Sequence, residues 1–185
     1  MAITQIDPSA ALIVIDLQKG IVSLAAEQSA EVIAKSASLA EAFRKRGLPV
    51  VLVNVAGSAP GRTNTPRPSF ASFPADFAEL VPELNAQPDD IFITKHGFGA
   101  FLRTGLDEEL KKRNVTQVIF CGVSTSIGVE SSARSAYDLG YNVAFVADAM
   151  ADLRPESHRN SIEVIFPRLG EVDVTENVLA LLGNS

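Results

Sequence analysis

Three places in this chain hold residue types that can move a proton or hold an anion. The apolar run ALIVID at 11–16 ends in Asp16 and is followed by Gln18. IFIT at 91–94 is followed by Lys95 and His96, and VTQVIFC at 115–121 by the turn GVSTSIG at 122–128. An acid gives or takes a proton, and an ammonium group orients that acid or pairs with an anion. Successive N–H groups at a helix start bind a carboxylate or an oxyanion. Gly122 and Gly128 add room, because a residue without Cβ allows backbone geometry and close approach closed to others.

Each feature also has a plainer role. Asp16 can cap the turn that follows it, as acids after strands often do. Lys95 can be a solvated cation. Set between IFIT and the aromatic stretch GFGAF, however, its stem is enclosed, and a desolvated ammonium group needs a carboxylate such as Asp16. The glycine turn can be a strand–helix connection whose Ser and Thr serve as caps. His96 is read as structural, since no His, Cys or acid lies beside it at metal-ligand spacing. His158, in a polar helix start, is read as exposed. Cys121 ends an apolar strand and is read as an inert core thiol. Arg134 is expected to tie down its own helix through an acid.

The elements around these residues alternate almost from end to end. Continuous apolar runs at 11–16, 50–55, 91–94, 115–121 and 142–148 predict strands buried on both faces. Helical spacing at about 27–46 closes on Arg44, Lys45, Arg46 and Gly47, a helix stop signal. Further helices are predicted over 104–114, from the turn to Leu139, over 155–167, and at the C-terminus with Thr175 as N-cap after a short strand. This alternation predicts an α/β fold: a parallel, doubly wound sheet between two helical layers, as one domain over 1–185. In such sheets ligands bind beyond the carboxyl ends of the strands, where all three stretches lie. The Pro-, Gly- and Ser-rich segment 56–76 is a long loop of the kind that carries function.

Composition narrows the partners. The chain has 185 residues, 46% hydrophobic and 21% charged, with a net charge of −6 and no Lys/Arg cluster on that background. Such a surface repels nucleic acid and anionic membranes, but a pocket needs only one or two local cations to take a small anionic substrate. With one cysteine no intramolecular disulfide forms, and the absence of a basic leader or a spanning apolar run predicts a cytoplasmic protein.

Taken together, ALIVIDLQKG, ITKHGFGAFLRTGLDEEL and VIFCGVSTSIGVESSARSAYDLGYNVAFVADAMAD resemble, in order, the motifs of the isochorismatase-like hydrolase family, or cysteine hydrolase superfamily. The resemblance covers nearly the whole chain. It implies a three-layer α/β/α fold on a six-stranded parallel sheet, a catalytic Asp, Lys and Cys, and a non-proline cis peptide at Val123–Ser124. Asp16 and Lys95 fall on the first two catalytic positions, while the cysteine position falls on Gly128. The nicotinamidase branch places Asp and His metal ligands after its second strand, whereas residues 54–75 hold no histidine, so no metal and no cofactor are expected. Isochorismatases proper are similar in having glycine at the cysteine position, although Ser124 stands where they tend to carry an aromatic residue. The family often forms dimers or tetramers, so a homo-oligomer is expected, with the apolar C-terminal helix available for it.

The expected chemistry is therefore hydrolysis of a small anionic enol ether of the isochorismate kind. Asp16 would act as general acid, Lys95 would orient it, and N–H groups between Ser124 and Gly128 would hold an anionic group of the substrate. Gln18, Phe101, Ser124 and Thr125, with Arg62 or Arg67 from the loop, are the candidate substrate contacts. One sign stays open at this level: Lys95 lowers the Asp16 pKa, whereas burial and substrate carboxylates raise it. The alternatives are an amide or ester hydrolase using Ser124, Thr125 or Ser126 with Asp16 as base, and a binding module that performs no chemistry.

Overall fold

In the computed structural model, which describes residues 2–65 and 69–183 (leaving out the side chains of 25–28), β1 (Ala10–Ile15) is buried along its whole length. Its alternate side chains enter two separate cores, Ala10, Leu12 and Val14 on one face and Ala11, Ile13 and Ile15 on the other. That is the period-2 pattern of a strand covered on both sides. Around it lie β2 (Val50–Val55), β3 (Ile91–Lys95), β4 (Gln117–Val123), β5 (Asn142–Ala151) and β6 (Glu171–Asp173). They form one six-stranded sheet in the order β3-β2-β1-β4-β5-β6, all neighbours parallel.

The helices are α1 (Lys19–Val22), α2 (Ala26–Lys45), α3 (Leu106–Lys112), α4 (Glu130–Asp138), α5 (Pro155–Asn160), α6 (Phe166–Leu169) and α7 (Thr175–Gly183). Leu39 and Phe43 of α2 and Val178 and Leu182 of α7 close the first core. Leu106 and Leu110 of α3, Ala133 and Ala136 of α4, and Phe166 close the second. The three-layer α/β/α architecture expected from the sequence is thus present. The long helix after β1 and the helix after β4 cover opposite faces, so the tips of these adjacent strands form the switch point where open α/β sheets bind ligands. Among the described residues no helix is long and apolar enough to cross a membrane.

Two differences from the sequence expectation have a visible cause. β5 runs to Ala151 rather than ending at 148, because its pairing with β4 jumps from Phe120↔Phe145 to Gly122↔Met150 through a bulge. Thr175 does not cap α7: it is the helix's first residue, and its N–H and hydroxyl donate to Asp148 Oδ1 at 2.7 and 2.9 Å. The acid within the bulge, not the threonine, satisfies that helix end.

Gly122 is a tight point inside the sheet. Its φ is +111°, and a Cβ there would lie 2.1 Å from the Ile15 carbonyl oxygen on β1. Both the backbone conformation and the contact require glycine. Gly122→Ala is expected to cost about 3 kcal/mol or more. A thermal unfolding curve followed by circular dichroism should show the midpoint lowered by about 10 °C.

Candidate active site

Asp16 stands one residue beyond β1 with φ of 51°, uncommon for a residue with a Cβ. Its N–H donates to Val53 O at 2.9 Å and its C=O accepts from the Gln18 N–H at 2.8 Å, which fixes a sharp reversal at the strand tip. Lys95 is the last residue of β3, with β2 between it and β1. Its long side chain crosses that gap: Nζ lies 2.8 Å from Asp16 Oδ2 and donates to Phe98 O at 2.6 Å. Lysine and aspartate are 1% and 6% exposed.

Electrostatically the pair is not a plain salt bridge. Burial raises the Asp16 pKa and the Lys95 charge and hydrogen bond lower it; burial wins, pushing it up to about 6. The sign left open by the sequence is therefore upward. Oδ2 takes the lysine, while Oδ1 is buried with no hydrogen-bond partner among the described residues, leaving one oxygen to carry a proton.

The turn after β4 begins with the cis peptide Val123–Ser124, where the resemblance placed it. Thr125–Val129 then winds as a wide π-type turn into α4. Gly128, on this turn, is buried beneath the pair. A Cβ there would lie 2.9 Å from Ile15 Cγ2 and 3.1 Å from both Asp16 Oδ2 and Lys95 Nζ. Residue 128 is thus the place from which a side chain would touch acid and ammonium together. Cys121 cannot substitute: it is fully buried in the other core, and burial pushes its thiol up to about 12.

The N–H groups of the turn are largely committed within the protein. Ser126 donates its N–H and its hydroxyl to Asp152 Oδ2 at 2.8 and 2.7 Å, and the Ile127 and Val129 N–H groups bond Ser124 O. Thr125 is fully buried, its hydroxyl 3.0 Å from Ala151 O and 2.8 Å from His158 Nδ1. A carbonyl can only accept, so the threonine proton goes to Ala151 and His158 Nδ1–H donates to Thr125. His158 is therefore half-buried, not the exposed residue expected, and burial holds its pKa below the ordinary histidine value.

Comparison with known proteins decides the family. The isochorismatase domain family matches residues 10–177. The chain belongs to the isochorismatase family. It is 41% identical over 175 residues to the uncharacterized isochorismatase family protein YwoC of Bacillus subtilis (strain 168), covering 91% of this chain and 92% of that one. It is 40% identical over 182 residues to the uncharacterized isochorismatase family protein YecD of Escherichia coli O157:H7, covering 93% and 95%. The solved isochorismatase family protein from Burkholderia thailandensis matches with a TM-score of 0.90 and 38% identity, over 97% of this chain and 98% of that one. The protein is accordingly an isochorismatase-family hydrolase.

Within this isochorismatase fold a cavity of about 530 Å³ opens over the pair. Asp16, Lys95 and Gly128 line it together with Ser124 and Asp152, and Phe70, Phe98, Ile127 and Leu153 supply apolar wall. Among the expected substrate contacts, Ser124 is in place. Gln18 is not a ligand contact: its amide accepts from Val55 N–H at 2.7 Å and donates to Val55 O and Phe77 O, both at 3.0 Å. It acts as a strap holding the loop end to β2. Phe77 in turn stacks on Phe73 and meets Phe70 edge-on, which sets Phe70 in the cavity wall. Phe101 turns into the core beside Tyr141, while Phe98, three residues earlier, turns to the cavity. Thr125 is sealed by Ala151 and His158, and Arg62 is exposed and away from the described lining. Arg67 lies outside the described residues. Arg134 pairs with Glu130 at 2.9 Å, as expected.

Asp152 is the cavity-lining acid the sequence reading missed. The strand-end rule points to it only when β5 runs to Ala151; with the strand taken to stop at 148, no residue at its end was singled out. Asp148, at the expected end, pairs with Lys35 and holds Thr175.

Proposed function

We propose that the protein hydrolyses an enol ether, with Asp16 protonating carbon and water as the only nucleophile. The observation that carries this is the lack of any side chain at residue 128, whose Cβ position lies directly against the Asp16–Lys95 pair. Amide hydrolysis in the cysteine hydrolases runs through a thioester, which needs a thiolate at the pair; glycine gives none. A vinyl ether needs only a proton donor and a water.

In this mechanism the Asp16 carboxylic acid transfers its proton to the terminal vinyl carbon, leaving an oxocarbenium ion at the ether-bearing carbon. Water adds to that cation and returns a proton to the Asp16 carboxylate. The resulting hemiketal collapses to a carbonyl compound and an alcohol. Lys95, bonded to Oδ2, fixes the carboxyl group and stabilises the anion formed as the proton leaves. A pKa of about 6 keeps part of the aspartate protonated near neutrality, as a general acid requires.

The hydroxyl-nucleophile alternative has less support, because Ser126 is bonded to Asp152, Thr125 to Ala151 and His158, and among the described residues no hydrogen bond joins Ser124 to Asp16, the base it would need. A pure binding module would have no use for an acid held at positive φ in a buried ion pair. Incubation with isochorismate and simple aryl vinyl ethers, beside nicotinamide and N-carbamoyl amides, tests the assignment. Carbonyl product should appear from an ether and persist at the same rate in Cys121→Ala. Ammonia from the amides with no ether cleavage overturns it.

A further inference from the structure

The cavity also speaks to the substrate's charge; this inference rests on the vinyl-ether reading and names its substrate class. We propose that the substrate is an uncharged, largely apolar enol ether, and that Asp152 turns carboxylates away. An anionic substrate was the expectation from sequence, and three observations point against it.

The first is the charge of the lining. Among its described residues Lys95 is the only cation, and its Nζ already serves Asp16 and the Phe98 carbonyl. Two acids, Asp16 and Asp152, share the same wall. The second is that the helix mouth, where a substrate carboxylate would seek backbone N–H groups, already holds an anion. Asp152 is 8% exposed; Oδ2 takes the Ser126 N–H and hydroxyl, and Oδ1 takes the Arg154 N–H at 3.1 Å. An incoming carboxylate would have to displace this group or sit beside it. The third is the rim. Leu24, Phe98, Ile127 and Leu153 line the cavity yet are 63%, 66%, 42% and 59% exposed. Large apolar side chains gathered around one concave opening mark a surface that an apolar ligand covers. A cavity of about 530 Å³ takes an aromatic ring with its ether arm.

The test compares phenyl vinyl ether with 2-phenoxyacrylate, the same ether bearing a carboxylate; water cleaves the first to acetaldehyde and phenol and the second to pyruvate and phenol. The wild-type protein is expected to favour the neutral ether at least tenfold in kcat/KM. Asp152→Asn, which keeps an oxygen for Ser126, should narrow that preference about tenfold. Calorimetric titration with the inert pair phenetole and 2-phenoxypropionate reads the same preference without chemistry. Tighter binding of phenetole with no turnover of either ether would sink the mechanism but uphold the substrate class. Equal or better binding of the carboxylates by the wild-type protein overturns the proposal, and loss of that binding in Arg67→Ala would assign it to the loop arginine instead.

Discussion

Asp16→Asn is expected to lower kcat/KM for a vinyl ether by about a thousandfold, within the range for loss of a general acid, while an inert analogue still binds. The amide keeps the shape of the carboxyl group and an oxygen for Lys95, but it has no proton to give. In the wild-type protein the rate should fall as pH rises through about 6, since the acid form is the catalyst. In D₂O kcat/KM should fall about two- to fourfold, because transfer of the Asp16 proton to carbon limits the rate. Full activity in Asp16→Asn, or a rate unchanged in D₂O, refutes the assignment. Linkage has the same sign. The folded-state pKa of Asp16 lies above its ordinary 3.8, so the stability it confers is fully present below that value and is lost as pH rises through about 6.

Lys95→Met should be the most destabilising change at the site, and its cost should depend on pH. Removing the ammonium leaves a buried carboxylate without its counter-charge and the Phe98 carbonyl without its donor. Breaking a buried pair in this way costs about 3–5 kcal/mol. Near pH 8 a melting-point loss of about 10 °C or more is expected. With the lysine gone, nothing opposes the upward push of burial, so Asp16 takes up a proton more readily and the loss at pH 5 should be clearly smaller. A packing defect alone would cost the same at both values, so equal losses would show that charge is not what the lysine contributes. The fall of the residual rate with rising pH should also move to higher pH, again because the pKa of Asp16 rises.

Much of this arrangement was legible in the chain. A strand apolar at every position must be covered on both faces, which placed β1 at the centre of the sheet and Asp16 at its rim. An enclosed lysine stem requires an anion, and the pair at 2.8 Å meets that need. Three things were not legible, each for a physical reason. The bulge that extends β5 has no turn residue to announce it, so Asp152 was hidden behind Asp148. Phe98 and Phe101 are alike in type and differ only in the direction the loop backbone gives them. Gln18 stands at a ligand-facing address but bonds backbone at both ends of a long loop, a partnership separated by 37 and 59 residues.

The crowding at residue 128 also bears on redesign. No left-handed φ bars a side chain there, but a Cβ would lie 2.9 Å from Ile15 Cγ2 and 3.1 Å from Asp16 Oδ2 and Lys95 Nζ, so each neighbour must yield by a few tenths of an ångström. Gly128→Cys would therefore set a thiol directly against the acid and the ammonium group without rebuilding the sheet.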